Sequence, residues 1–429
     1  MKKIYVFLFV IFFSFSANAA AKVEELSSGG VKAWMIKDNS LPIIAVKIAF
    51  KGAGYAHDPA GKQGIANFVS GTLNEGAGEY DSQTFQRMLD ENAIELGYDA
   101  DKDDFYITMK TVSGNLDLAL KLLKSSIFEP LFNSDDIERV RSQIATNIRK
   151  ADESADYLAG KKFAEVMFPK HPYSYLKDGD LTTLNNISAE DLVLFVANKF
   201  GRDNVTIGIV GDVTDNTAQQ IVAQITEKLP QNANTTTIAD FNSYPVTLPA
   251  KVNINNPQTK IIFASKGTKR QSPDFFPAYV LSHILGGDGF QSRLVNEVRE
   301  KRGLAYYIGT SIQNMEHADL LVGAVGTTAE QENEVIELIK TTYSGIQTKG
   351  VTKAELDDAK GYLTGSFALN LDKNEKLASY LVMMQQENLG IDYLDKRNGY
   401  IQAVTLEQVN NLAKTLLSPE AIVFISAGQ

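Results

Sequence analysis

The chain of 429 residues repeats itself once, and this internal repeat constrains the fold more than any other feature of the sequence. In both halves a Ser or Thr opens an amphipathic helix, and a β-branched, strand-like run follows it. The matched positions are Ser188 with Thr405, Ser134 with Thr352, and residues 66–73 with residues 278–285. Because the paired positions lie 212 to 218 residues apart, the period is too long for a solenoid and indicates a duplicated domain.

Each half alternates apolar, strand-like runs with helix-patterned segments, which is typical of an α+β domain. The expected strands include residues 43–50, 105–109, 260–265 and 320–325. We therefore predict two homologous domains, each a mixed, mostly antiparallel β-sheet with helices packed on one face. A polar, proline-containing stretch between the halves predicts a linker. The predicted ranges are 1–19 for a signal peptide, 22–230 for the N-terminal domain, 231–250 for the linker and 251–429 for the C-terminal domain.

The amino terminus has the pattern of a secretory signal, with two lysines, an apolar run over residues 4–15 and then Ala17-Asn18-Ala19. Cleavage after Ala19 would export the protein, so we expect a soluble periplasmic chain without a membrane span. The sequence has no cysteine, which excludes disulfides and thiol catalysis. A net charge of −10 argues against nucleic acid or an anionic membrane as a partner.

The segment G-I-A-N-F-V-S-G-T-L-N-E-G, residues 64–76, resembles the zinc-binding helix of the insulinase and mitochondrial processing peptidase superfamily. In that superfamily the helix reads G-L-A-H-F-L-E-H-x-L-x-x-G and supplies two histidine ligands and a glutamate base. The histidine positions fall here on Asn67 and Gly71, and the glutamate position falls on Ser70. The resemblance therefore implies a degenerate zinc site without any of the motif's functional side chains.

The superfamily's remaining zinc ligand, a glutamate on a later helix, is missing as well. Its expected position falls on Thr146 or Asn147. The histidines of the chain are His57, His171, His283 and His317, and no two of them have the i, i+4 spacing of such a motif. We expect all four to be structural or surface residues, and we expect no metal or other cofactor in this chain.

The second half has the stronger chemical signal, a glycine-rich turn followed by a basic segment. The run L-G-G-D-G-F-Q-S-R-L, residues 285–294, precedes V-R-E-K-R-G-L-A-Y-Y, residues 298–307. Arg299 and Tyr306 stand seven residues apart, about two turns if the segment is helical. From the residues alone, either the glycines let backbone approach a ligand closely, or Arg299 pairs with a nearby glutamate and Tyr306 fills the core.

This passage is similar to the superfamily signature G-L-G-x-G-x-x-S-R-L…R-E-K-x-G-L-A-Y. There an Arg and a Tyr seven residues apart reach the zinc site from the C-terminal domain, bind the substrate backbone and help to stabilise the oxyanion. The resemblance assigns these roles to Arg299 and Tyr306, and fixed donors suit a site where negative charge develops. Gly286, Gly287 and Gly289 fall where the noncatalytic processing-peptidase subunit has a longer substrate-guiding loop, which implies a substrate-binding role.

The resemblance extends over nearly the whole chain after the signal segment, residues 26–427. It implies the noncatalytic subunit of a heterodimeric periplasmic zinc metallopeptidase, which hydrolyses nothing alone. A homologous partner subunit would supply the zinc, and Arg299 and Tyr306 would act in trans on an unfolded peptide. The alternative is a catalytically inactive pseudo-peptidase that binds peptides or scaffolds an assembly. Without the partner, a homodimer could form.

Overall fold

A computed structural model describes residues 22–245, 249–289 and 291–429. The predicted signal peptide, residues 1–19, lies outside this part of the chain. Within the described ranges, no helix combines the length and the apolar composition that a bilayer crossing requires.

The strands of the described residues form two sheets. The strands are β1 (Val23–Ser28), β2 (Val31–Lys37), β3 (Ile43–Lys51), β4 (Glu95–Ala100), β5 (Asp104–Val112), β6 (Val205–Gly211), β7 (Ala250–Asn253), β8 (Gln258–Lys266), β9 (Tyr307–Asn314), β10 (Asp319–Thr328) and β11 (Val423–Gly428). The first sheet has the order β1-β2-β6-β3-β5-β4, and the second has the order β7-β11-β8-β10-β9.

The two sheets share one topology. The order β2-β6-β3-β5-β4 of the first sheet corresponds strand by strand to β7-β11-β8-β10-β9 of the second, and β1 is an addition. In each sheet the first of these pairs is parallel and the other three are antiparallel. The predicted α+β duplication with mixed, mostly antiparallel sheets is therefore confirmed, and the four expected strands lie within β3, β5, β8 and β10.

The helices repeat in the same way. They are α1 (Ile65–Thr72), α2 (Ser82–Glu91), α3 (Leu116–Phe128), α4 (Ser134–Ala151), α5 (Ala155–Met167), α6 (Leu181–Asn185), α7 (Ala189–Lys199), α8 (Asp215–Thr226), α9 (Phe275–Gly286), α10 (Glu332–Lys349), α11 (Lys353–Gly365), α12 (Asn374–Gln386), α13 (Tyr393–Ala403) and α14 (Leu406–Leu416). Ser188 and Thr405 open α7 and α14 with capping boxes, as their shared sequence pattern predicts. Helix α1 packs on β4, α4 and α7, and α9 packs on β9, α11 and α14, so α1 and α9 are equivalent helices of the repeat.

The two halves exchange one helix each. Helix α5 lies against β8 and β11 of the second sheet, while α12 lies across β3 and β6 of the first. Gly208 of β6 permits this contact, because a Cβ there would lie 2.5 Å from the backbone oxygen of Ala378 in α12. The sequence predicted helices on one face of each sheet. The structure has an additional helix, from the opposite half, on the other face of each sheet. This exchange fixes the position of the two halves relative to each other.

The linker is anchored by two apolar side chains. Its described residues 231–245 contain no helix or strand. Ile238 and Phe241 are nevertheless buried in a junction cluster with Phe168 and Tyr173, and Phe168 packs edge-on against Phe241 with ring centroids 5.0 Å apart. The polar composition predicts a linker but does not reveal this anchoring.

Candidate functional site

The degenerate motif positions lie on α1, and contacts within the chain engage all three. The Asn67 side-chain amide donates a hydrogen bond to Asp178 Oδ1 over 2.6 Å. The Ser70 hydroxyl donates to the Asn67 backbone oxygen one turn earlier, over 2.8 Å. A Cβ on Gly71 would lie 3.1 Å from Val140 Cγ1 of α4, so this glycine allows α1 and α4 to pack closely.

These residues do not fit a zinc ion. Asn67, Ser70 and Gly71 offer no imidazole or carboxylate, and the space beside Gly71 is occupied by Val140. On α4 the Asn147 side-chain oxygen accepts a hydrogen bond from Gln143, over 3.0 Å, within the same helix. Zinc sites in proteins need imidazole, thiolate or carboxylate ligands, and Asn67, Ser70, Gly71 and Asn147 supply none of these.

A buried carboxyl group holds the start of α1. Asp58 accepts hydrogen bonds from the backbone N–H groups of Gly64, over 2.7 Å, and Ala66, over 3.2 Å. Burial raises the pKa of Asp58 to about 8, against the opposing effect of these hydrogen bonds. The motif helix therefore keeps a fixed position although its ligand residues are gone.

In the C-terminal half, the predicted arginine and glycines, but not Tyr306, line one cavity of about 660 Å³. Gly286, Gly287, Gly289 and Arg299 line it together with residues of β9. The three degenerate positions of α1 do not line this cavity. The structure therefore brings the predicted arginine and glycines together and leaves the old zinc-motif positions elsewhere.

Arg299 and Tyr306 lie side by side, although they do not share a helix. Arg299 belongs to a π-helical turn, Val295–Glu300, and Tyr306 lies in the bend before β9. The guanidinium carbon of Arg299 is 5.7 Å from the centre of the Tyr306 ring, within the range of a cation–π contact. Arg299 Nε also lies 3.6 Å from Glu300 Oε1. The sequence left open that Arg299 pairs with a nearby glutamate and that Tyr306 fills the core. The first part of this alternative holds, because Arg299 lies beside Glu300.

The other half of that alternative is wrong, because Tyr306 is not a core residue. Tyr306 is 86% exposed and stands between the buried Ala305 and the exposed Tyr307. The preceding Leu304 is buried, and its backbone oxygen accepts a hydrogen bond from the Thr327 hydroxyl over 2.7 Å. The chain around Tyr306 is thus fixed while its phenol faces solvent, an arrangement that suits a donor for a bound molecule.

Lys260, Asp156 and Tyr307 are among the further polar side chains that line the same cavity, and they were not predicted. Lys260 of β8 forms an ion pair with Asp156 of α5, with 2.6 Å between Nζ and Oδ1, and it also contacts the Tyr307 hydroxyl. Asp156 comes from the N-terminal half, on the exchanged helix α5. No local motif joins Asp156 to Lys260, so only the helix exchange could have revealed this group.

Gly286 and Gly289 are required in this turn for different structural reasons. A Cβ on Gly286 would lie 2.9 Å from the backbone nitrogen of Thr310, so Gly286 lets the end of α9 lie directly on β9. Gly289 has φ +102°, a conformation that favours glycine. Their proposed contact with substrate stays a prediction.

A bidentate ion pair fixes the segment between the glycine turn and Arg299. Arg293 donates to both carboxylate oxygens of Glu355, over 2.6 Å and 2.9 Å, and also to the Gly350 backbone oxygen. Hydrogen bonding from Arg293 lowers the pKa of Glu355 to about 2. The pair joins this segment to the start of α11, where Glu355 also completes the capping box of Thr352.

Comparison with known families gives two matches along the chain. Residues 36–175 match the family described as insulinase, peptidase family M16, and residues 186–363 match the peptidase M16 inactive domain. Together these ranges cover about three quarters of the chain. The first contains the degenerate motif, and the second contains the glycine turn, Arg299 and Tyr306.

Individual relatives match over most of their length. A Helicobacter pylori protein named non-peptidase homolog YmxG is 26% identical over 425 residues, which are 96% of this chain and 95% of that protein. An uncharacterized zinc protease YmxG of Bacillus subtilis is 22% identical, over 91% of this chain and 95% of the relative.

Solved structures show the same fold. A structure described as a peptidase M16 inactive domain from Pseudomonas fluorescens has a TM-score of 0.88 and 28% identity, covering 95% of this chain and 98% of its own. A chain of complex III2 from Candida albicans, 15% identical with a TM-score of 0.79 over 95% of this chain and 96% of its own, shares the fold alone.

Proposed function

Since the chain belongs to the insulinase family, peptidase family M16, we propose that it is the noncatalytic subunit of a heterodimeric zinc metallopeptidase. In this proposal the chain is exported to the periplasm, and a homologous partner subunit holds the zinc. The chain contributes substrate contacts and binds no zinc on α1.

The observation that carries the proposal is the arrangement of Arg299 and Tyr306. The guanidinium carbon of Arg299 lies 5.7 Å from the centre of the Tyr306 ring, on a fixed segment. Arg299 lines a cavity, and the Tyr306 phenol is exposed. A guanidinium and a phenol are donors that can stabilise a developing oxyanion if a second protein places the scissile bond beside them. The α1 face offers no comparable donors, so the chemistry that this chain can contribute lies in its C-terminal half.

We propose that the substrate is an unfolded peptide bound as an added strand. Strand β9 is the last strand of its sheet, and its outer edge pairs with no other strand of the described residues. Residues of β9 line the cavity beside Arg299 and the glycine turn. Main-chain pairing at such an edge tolerates many side chains, which suits a peptidase that accepts varied unfolded peptides.

The second candidate is a pseudo-peptidase that binds peptides or scaffolds an assembly without catalysis. The contact between Arg299 and Glu300 favours it, because an arginine with an anionic neighbour contributes less to an incoming oxyanion. The two candidates differ in whether a zinc-bearing partner gains activity from this chain.

Reconstitution tests the proposal. The purified chain, a zinc-bearing M16 relative from the same organism, and their mixture are each assayed with a quenched unfolded peptide. We expect no hydrolysis by the chain alone and at least tenfold faster hydrolysis by the mixture than by the relative alone. The double variant Arg299→Ala, Tyr306→Phe should still bind the relative in gel filtration but should lose the gain. A mixture no faster than the relative alone would refute the subunit role and leave the pseudo-peptidase.

A further inference from the structure

Three side chains of metal-ligating type meet where the two halves join. His57 ends a short 3₁₀ helix after β3, Asp103 lies in the turn between β4 and β5, and His317 lies in the turn between β9 and β10. One ring nitrogen of each histidine and one carboxylate oxygen of Asp103 all lie within 4.8 Å of one another. We propose that this triad binds a divalent transition-metal ion of the zinc class and so links the two halves.

The hydrogen bonds of the two histidines set their tautomers for metal binding. His57 Nδ1 lies 2.8 Å from the Thr236 backbone oxygen, which can only accept, so Nδ1 carries the proton. His317 Nδ1 lies 3.1 Å from Asp240 Oδ1 and donates to this carboxylate in the same way. In both neutral rings the lone pair is then on Nε2. A histidine whose other nitrogen donates to a carbonyl or carboxylate is the usual arrangement of a metal ligand.

Asp103 is held by two donors. The Tyr173 hydroxyl donates to Asp103 Oδ1 over 2.5 Å, and the Glu316 backbone N–H donates to Oδ2 over 3.0 Å. The same Tyr173 oxygen accepts from the His317 backbone N–H over 2.9 Å. Because a carboxylate has about four acceptor positions, Asp103 keeps lone pairs for a cation. Buried Tyr173 thus positions two of the three ligands.

The ligand set indicates which ion would bind. Two imidazoles and one carboxylate with room for water suit Zn²⁺ and chemically similar ions, whereas Mg²⁺ and Ca²⁺ prefer oxygen ligands. Tetrahedral bonds of about 2.0–2.2 Å place ligand atoms roughly 3.4 Å apart, so separations of up to 4.8 Å need to contract by at most about 1.4 Å. His317 and Asp103 are partly exposed, so an ion can reach them from solvent.

The site would cross-link three parts of the chain. His57 and Asp103 belong to the N-terminal half, His317 belongs to the C-terminal half, and the linker supplies Thr236 and Asp240 as supporting groups. An ion held here would stabilise the docking of the two halves, and it would do so without any part in peptide hydrolysis. The inference departs from the expectation that all four histidines are structural or surface residues and that the chain holds no metal; that expectation stays a prediction until metal binding is measured.

Metal titration of the full exported chain, without a partner or peptide, tests the inference. After treatment with a chelator, the chain is titrated with Zn²⁺ by calorimetry and with Co²⁺ by visible absorption. We expect one saturable equivalent of either ion, a Co²⁺ spectrum of low coordination number, and a rise in Tm of several degrees with Zn²⁺. His317→Gln should weaken binding at least tenfold, and Asp240→Asn, which changes only a supporting group, about 10- to 100-fold.

The matched control is His283→Gln, the same substitution on α9, where the ring stacks on Tyr362. It should leave metal affinity unchanged. Circular dichroism confirms that each variant is folded, and both test positions lie in partly exposed turns or linker, so folding should survive. The absence of saturable one-to-one binding to the unsubstituted chain, or equal affinity in the folded His317→Gln variant, would overturn the inference. Either result leaves the proposed subunit role to be judged by the reconstitution assay.

Discussion

Helices α1 and α9 occupy equivalent places in the repeat, yet their surroundings differ in one decisive way. At α1, Asn67 and Gly71 meet partners within the chain, in the form of Asp178 and Val140. At the end of α9, the chain opens into a glycine turn beside a cavity. The Tyr306 phenol nearby is exposed to solvent. The comparison teaches that one framework can engage the zinc-motif positions in contacts within the chain in one copy and present polar donors in the other.

The most direct test of this comparison restores the zinc motif. The triple variant Asn67→His, Ser70→Glu, Gly71→His recreates the sequence pattern, but the imidazole introduced at position 71 would meet Val140, and α4 still lacks the third ligand. We expect the variant to bind no more zinc than the unsubstituted chain, as measured by metal analysis after dialysis. Using the unsubstituted chain as reference subtracts any ion at the domain junction. A second tightly bound equivalent would show that the α1 face is less closed than its contacts indicate.

The largest expected effect concerns the open side of the molecule, the cavity with Arg299 and the neighbouring Tyr306. In the reconstituted complex, Arg299→Ala should lower kcat/KM by at least tenfold and by up to the roughly 100- to 1,000-fold typical for removing one oxyanion donor. Tyr306→Phe, which removes only the hydroxyl, should lower kcat by at least tenfold with little change in KM. The matched control is Arg302→Ala, since Arg302 pairs with Glu297 nearby and does not line the cavity. Equal rates for Arg299→Ala and Arg302→Ala would remove Arg299 from any contact with the reacting groups.

The sequence predicts those features of the fold and the site that depend on periodicity or on a local motif. It does not predict contacts between segments that are distant in the chain. The two-fold repeat predicts the fold class because each copy must form the same sheet. The motif comparison locates the changed zinc positions and Arg299 directly. By contrast, Asp156 reaches the cavity only through the exchange of α5, and His57 approaches His317 only because the halves dock. No spacing rule covers such pairs, since their separation in sequence carries no information about tertiary packing.

A smaller effect is expected when the packing of Gly286 against β9 is disturbed, and it is measured as a change in stability. In Gly286→Ala the added methyl group would lie 2.9 Å from the Thr310 backbone nitrogen, which cannot move without disturbing β9. We expect a loss of about 1–3 kcal/mol in unfolding free energy by urea denaturation. Gly361→Ala in α11 is the matched control, because a methyl group there meets nothing within 4 Å. It should be neutral or stabilise by up to about 1 kcal/mol. If both variants have equal stability, α9 does not need its close contact with β9.

The smallest expected effect concerns the ion pair that holds the segment before Arg299. Glu355→Gln keeps the capping acceptor but removes the charge paired with Arg293, and should cost about 1–2 kcal/mol at neutral pH. Because the pKa of Glu355 is lowered from 4.5 to about 2, its stabilisation is complete above pH 4.5 and is lost as the pH falls towards 2.

The difference in unfolding free energy between the unsubstituted chain and Glu355→Gln should therefore be constant from pH 7 to about 5 and disappear near pH 2. Glu337→Gln, which removes only an exposed pair with Lys340, should change stability by less than about 1 kcal/mol. A difference that does not depend on pH would mean that Glu355 acts through packing and not through its charge. The open side of the molecule would then owe its fixed geometry to the π-helical turn and the buried Leu304 rather than to the Arg293 ion pair.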